Sequence, residues 1–241
     1  MQEKGEDIPL LLSRMEETGM EGIDIGTVSD DLALRFPLSS HCPFVSRSAG
    51  IGPWAVGESL DVLKKQIETY GPVCAIGEIG LDNHWKDYAP KGEQEALFVS
   101  QLDLAEEMGK PIIIHSREAD LQMISILSSR SFSRRGIMHC FEGSEKLLSV
   151  ALSKGFYISF SGVLTYKGND ALRKLAVMVP SDRLLLETDS PYLSPVPLRG
   201  TRNNPLNVSY VYKTMSLISG RNEADLQTQN ATNLHAFLHQ A

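Results

Sequence analysis

Two periods of apolar and polar residues take turns along this chain. Short runs rich in Ile, Leu and Val, bounded by Gly, Pro or Ser, read as buried strands. Between them apolar residues recur every three or four positions, as on one face of a helix. After a polar opening at Met1–Asp7, residues 8–19 read as an amphipathic helix. Ile8, Leu11, Leu12 and Met15 share its apolar face, Asp7 is its N-cap and Gly19 closes it. Strands are expected at 20–27, 44–52, 73–79, 111–115, 136–140, 156–160 and 183–187. Helices are expected at 29–36, 59–70, 93–108, 119–129, 144–154 and 170–178. A loop rich in Pro and Arg, 192–204, precedes two closing helices at 205–219 and 223–238.

Regular alternation of strand and helix predicts an α/β fold with a parallel sheet covered on both faces. An open doubly wound sheet accommodates seven strands, but no glycine fingerprint marks a phosphate or dinucleotide turn. A (β/α)8 TIM-type barrel suits the length of 241 residues. It needs an eighth strand, however, and this chain opens on a helix.

Composition narrows the function classes. A chain 42% hydrophobic and 22% charged suits one domain over 1–241. The formal net charge of −7 argues against a nucleic-acid-binding coat over the whole surface. It leaves room for a locally basic cleft, or for a metal that carries the positive charge. Three cysteines, Cys42, Cys74 and Cys140, fit no zinc or CxxC spacing, so reduced thiols in a cytoplasmic protein are expected. Neither a signal-peptide pattern nor a membrane-length apolar run is read from the sequence, and no membrane partner is expected.

The chemistry gathers at strand ends. Pro111–Asp120 (PIIIHSREAD) runs three isoleucines into His115. In parallel α/β folds the C-terminal edge of the strands carries the active groups. Glu78, His139 and Asp189 are expected at the ends of three further strands, so each of several strands offers one imidazole or carboxylate. Such ligands suit Zn, Mn, Fe or Ni. A carboxylate such as Glu78 is able to bridge two ions, and paired ions activate water for an in-line displacement. Each residue also has a plain structural reading: Glu78 as a buried acid paired with Arg117, His139 as a core histidine beside Cys140, Asp189 as the cap of the Ser190-Pro191 turn.

Five segments carry a resemblance: GEIGLD at 77–82, PIIIHSRE at 111–118, GIMHCFEGS at 136–144, GFYISFSG at 155–162 and LLLETDSPYLSPVPLRGTRNNP at 184–205. Together they resemble the TatD family of metal-dependent deoxyribonucleases, from about residue 8 to the end. The resemblance implies a (β/α)8 barrel that hydrolyses phosphodiester bonds of DNA or oligonucleotides with divalent metals, among Zn, Mg, Mn and Ni. It implies Glu78 as the bridging carboxylate, His115 and His139 on one ion, and Asp189 on the other and able to move protons. Glu187, Asp82 and Arg117 fall around these ligands or on the substrate side. Arg199 and Arg202, on the loop after the last strand, are further candidates for phosphate contact, because guanidinium binds phosphate in bidentate fashion. A monomer is expected.

Two departures from the family pattern stand out. The family opens on a strand ending in a His-x-His pair, whereas the only histidine here before His84 is His41. With the missing eighth strand, this gives the expectation that a strand-length segment lies upstream of Met1 and that one of two metal sites is incomplete. Where the family commonly has Gly-x-His-Pro, this chain has Gly50-Ile51-Gly52-Pro53, followed by Trp54. Two alternatives therefore stay open: an amide or ester hydrolase on the same metal site, and a catalytically impaired barrel that only binds.

Overall fold

The computed structural model describes residues 7–240; the polar opening read at 1–6 lies outside them. The chain forms two compact units, Met1–Ala119 and Asp120–Ala241.

The first unit runs α1 (Ile8–Glu17), β1 (Gly22–Asp24), α2 (Leu32–Ser39), β2 (Val45–Ala49), α3 (Leu60–Tyr70), β3 (Ala75–Asp82), α4 (Lys91–Glu107) and β4 (Ile112–Arg117). Its strands pair in sequence order, all parallel, with Gly22 opposite Val45, Ser48 opposite Ala75 and Ile76 opposite Ile112. The N-cap reading of Asp7 is right: its Oδ1 accepts from Leu10 N at 3.1 Å. Helix α2 continues past Pro37, which contributes no N–H of its own, to Ser39.

Strand β3 is buried along all eight residues, as a strand covered on both faces must be. Ile76, Ile79 and Leu81 pack there with Ile112–Ile114 of β4 and with Phe98 and Leu102 of α4, all essentially out of solvent. Helix α4 also buries two glutamines on that side, Gln94 and Gln101. Gln101 clamps Ile51 through both backbone groups, Oε1 accepting from Ile51 N and Nε2 donating to Ile51 O, each at 2.8 Å. A buried amide keeps its place only when its donors and acceptors are matched in this way.

The second unit runs α5 (Asp120–Ser128), β5 (Ile137–Met138), α6 (Glu145–Ser153), β6 (Tyr157–Phe160), α7 (Asp170–Met178), β7 (Leu184–Leu186), α8 (Val208–Ser219) and α9 (Glu223–Leu238). Ile137 pairs with Tyr157, and Ile158–Phe160 with Leu184–Leu186, again parallel. Helix α9 serves the backbone of β7 with side-chain amides. Leu186 N donates to Asn230 Oδ1 at 2.8 Å, and Asn233 Nδ2 donates to Leu184 O at 2.7 Å. No helix among the described residues is long and apolar enough to cross a membrane.

Candidate active site

In the first unit the site is built on β3 and β4, and both strands run further than their apolar residues suggest. The sequence ends them at 79 and 115. The ladder instead continues through Gly80–His115, Leu81–Ser116 and Asp82–Arg117, so polar residues are held in regular backbone rather than in loops. Gly80 makes this possible. At φ +147° it takes a conformation that L side chains rarely adopt, and a Cβ there would collide with the His115 carbonyl.

Glu78 accordingly lies inside β3, not at its end, which corrects the strand-end placement expected for it. The register shifts between Ile76 and Ile79, where three steps of β3 match two of β4. Bulges of this kind re-aim a side chain, and they are over-represented beside active sites. Freed from the ladder, Glu78 N–H donates to Gly26 O at 2.7 Å.

His115 is the hub. Its Nδ1 lies 2.9 Å from Glu78 Oε1 and its Nε2 3.0 Å from Asp82 Oδ2. Both carboxylates are buried, Glu78 at 7% exposure and Asp82 at 2%. Asp82 is held in turn: its Oδ1 accepts from His84 N at 2.9 Å, its N–H donates to Gln94 Oε1 at 2.9 Å and its C=O accepts from Gln94 Nε2 at 3.0 Å. Burial alone would raise the Asp82 carboxyl. The hydrogen bonds from His115 and His84 N–H, with the nearby charges of His115 and Arg117, outweigh it and hold the group below the usual carboxylate range. An imidazole fixed by a carboxylate on one nitrogen is the arrangement by which proteins orient a metal-ligating histidine. The Arg117 guanidinium lies 5.6 Å over the Trp85 ring. Trp54 meets the His115 ring edge-on at 5.6 Å.

In the second unit His139 stands immediately after β5, and its Nδ1 lies 3.4 Å from Glu187 Oε1. The same Oε1 accepts from Cys140 N at 2.6 Å. Cys140 and Asp189 both take left-handed backbone, φ 43° and 57°. That conformation costs about 1–3 kcal/mol per residue and survives only where surrounding bonds enforce it. Burial, then the charges of Asp189 and Glu187, push the Cys140 thiol well up, so it stays protonated; its Sγ lies 3.0 Å from Ser161 Oγ.

Asp189 lies three residues past the end of β7, and its C=O accepts from Tyr192 N at 2.8 Å. The loop it opens is organised by Asn203, a residue that composition and spacing did not single out. Buried to 1%, Asn203 donates through Nδ2 to Thr188 O at 2.8 Å and Tyr192 O at 2.7 Å. On the same loop Arg199 lies 4.4 Å over the Tyr166 ring, and Arg202 is exposed.

Gln94, Gln101 and Asn203 were missed from the sequence, and Trp54 was noted only as the neighbour of Gly50–Pro53. The glutamines do leave a trace: with Phe98 they repeat at helical spacing on a face otherwise expected to be apolar.

A family model described as TatD related DNase matches residues 4–239. A Bacillus subtilis protein named as the uncharacterized metal-dependent hydrolase YabD is 38% identical over 196 residues, covering 77% of this chain and 76% of its own. An Erwinia tasmaniensis protein named 3'-5' ssDNA/RNA exonuclease TatD is 32% identical over 237 residues, covering 92% and 90%. Among solved structures, the TatD homologue YjjV of Escherichia coli superposes with a TM-score of 0.88 at 25% identity, covering 98% of this chain and 92% of that one. The fold class is thus the expected α/β barrel type, with seven strands among the described residues. The chain belongs to the TatD-related family of metal-dependent hydrolases.

Proposed function

We propose that this protein is a metal-dependent phosphodiesterase acting on DNA or oligonucleotides. The observation that carries the reading is His115, held on both ring nitrogens by the buried carboxylates Glu78 and Asp82 inside a family of metal-dependent hydrolases. A relative named as a single-stranded DNA/RNA exonuclease supports the choice of phosphodiester over other hydrolysable bonds.

The donor set fits a divalent ion. Glu78 offers a buried carboxylate and His115 a half-buried imidazole 2.9 Å away, and an uncompensated charge on the buried acid is costly. By the family resemblance Glu78, His115 and His139 would hold one ion, and Asp189, with Glu78, would hold a second. When bound, such ions supply Lewis acidity and a lowered pKa for water. The protein's own groups do the rest. Asp82 fixes the His115 ring, and Glu187 orients His139. Asp189 would take up the proton that water releases. Arg117, Arg199 and Arg202 attract and seat the phosphate.

The test is hydrolysis of a labelled single-stranded oligonucleotide by the chain loaded with Mn, Mg, Zn or Ni in turn, beside a panel of esters, lactones and amides. The expected result is metal-dependent nucleotide release, reduced at least a hundredfold in His115→Ala and Glu78→Gln. Hydrolysis confined to the ester, lactone or amide panel would overturn the phosphodiesterase reading.

A further inference from the structure

Beside His115 a row of aromatic rings leads out to solvent. Trp54, on the short 3₁₀ turn Pro53–Ala55, meets His115 edge-on at 5.6 Å. Tyr88 follows 6.2 Å from Trp54, and Trp85 lies 6.4 Å from Tyr88. Both Trp85 and Tyr88 belong to the loop between β3 and α4, which leaves the strand bearing Glu78 and Asp82 at its C-terminal end. The inner end of the row exists because residue 52 is glycine: a Cβ there would collide with the Trp54 indole. The outer end is wet, with Trp85 51% exposed.

An exposed indole offers a flat apolar face on which another planar group can stack. The surroundings say what. The Arg117 guanidinium lies 5.6 Å over the Trp85 ring, and the His84 ring meets it edge-on at 4.9 Å. His84 is tied by its Nδ1 to Glu118 Oε1 at 2.6 Å, which anchors the loop to the residue following β4. Aromatic rings in series beside a guanidinium are the chemistry that holds unpaired nucleic-acid strands: bases stack on the rings while the cation faces phosphate. Bases inside a duplex hide those faces in their own stack.

We propose that Trp85 and Tyr88, continued inward by Trp54, form a base-stacking subsite for an unpaired nucleotide strand, with Arg117 on its phosphate side. The subsite seats the bases next to the bond presented to the His115 centre. It rests on the phosphodiesterase reading for its place in a reaction, but not for its ability to bind.

The test uses the full chain in EDTA and fluorescence anisotropy of labelled octamers: oligo-dT, an abasic strand of equal charge, and a duplex. Oligo-dT is expected to bind at least tenfold tighter than the abasic strand and the duplex. Trp85→Ala should weaken oligo-dT binding about tenfold, toward the abasic value, and Trp85→Phe should restore most of it. Trp54 and Trp85 are the only tryptophans, so quenching of intrinsic fluorescence by unlabelled oligo-dT should fall in Trp85→Phe while binding persists. Equal binding of oligo-dT by wild type and Trp85→Ala overturns the subsite, as does equal binding of oligo-dT and abasic strand by the wild type. The two readings fail separately. Base-dependent binding without hydrolysis under any metal keeps the subsite and removes the phosphodiesterase. Hydrolysis with oligo-dT binding indifferent to Trp85 does the reverse.

Discussion

Replacing Gln94 by leucine tests whether the site is held from α4. The side chain is 2% exposed and makes three hydrogen bonds to backbone: one from Asp82 N at 2.9 Å, and two to Asp82 O at 3.0 Å and Ala89 O at 2.8 Å. Leucine keeps much of the volume and none of the bonds. Asp82 is itself buried, so water has no access to its stranded N–H and C=O. Each orphaned buried group costs about 1–3 kcal/mol. Ala89 is half-buried, and its carbonyl recovers a water partner. The two groups on Asp82 therefore set the cost, about 2–4 kcal/mol after allowing for the apolar surface that leucine gains. With a urea m-value near the top of the usual range of about 1–3 kcal/mol/M, the unfolding midpoint of Gln94→Leu should fall by about 1 M at unchanged m. Asp82 orients His115, so metal affinity should drop about tenfold as well. A midpoint within about 0.2 M of wild type would mean that the backbone of Asp82 is satisfied without Gln94, and the reasoning would be wrong.

Two further outcomes follow from the same bookkeeping of buried groups. Asn203→Ala removes the two bonds that tie the Thr188 and Tyr192 carbonyls together and should loosen the loop that opens at Asp189, so that trypsin cuts after Arg199 and Arg202 at least tenfold faster; an unchanged cleavage rate would refute the role given to Asn203. The Cys74 thiol is pushed up to about 12, chiefly by burial, with Lys110 and Arg47 opposing it. The folded state then keeps a proton that the unfolded chain releases from about pH 9 upward, so this group makes stability fall as pH rises between those values. Cys74→Ala should therefore gain on wild type by about 1–2 kcal/mol between pH 8 and pH 10.5, and parallel stability–pH curves would refute the assignment.

Much of the architecture was legible in the pattern alone. Isoleucine-rich runs bounded by turn residues marked β3 and β4, and helical spacing marked α3 and α6, because a strand covered on both faces and a helix covered on one leave different periods in the chain. Strand ends were less legible. The reading stopped β3 and β4 where apolar residues stop, but Gly80 lets the strands approach so closely that Asp82 and Arg117 stay in register. No local period reports a contact that another strand supplies.

Sequence by itself determined the element order and the parallel α/β class, and it offered Glu78, His115, His139 and Asp189 as candidates to carry chemistry. Each of those depends on residue type and near neighbours. Tertiary structure decided that Glu78 is turned by a bulge inside β3, that Asp82 grips the second nitrogen of His115, and that two glutamines of α4 clamp the backbone at Ile51 and Asp82. It also decided that Gly52 gives its space to Trp54, which starts a row of rings leading away from His115. These are matters of which distant residue satisfies which buried donor or fills which gap, and they are settled only when the strands are packed side by side.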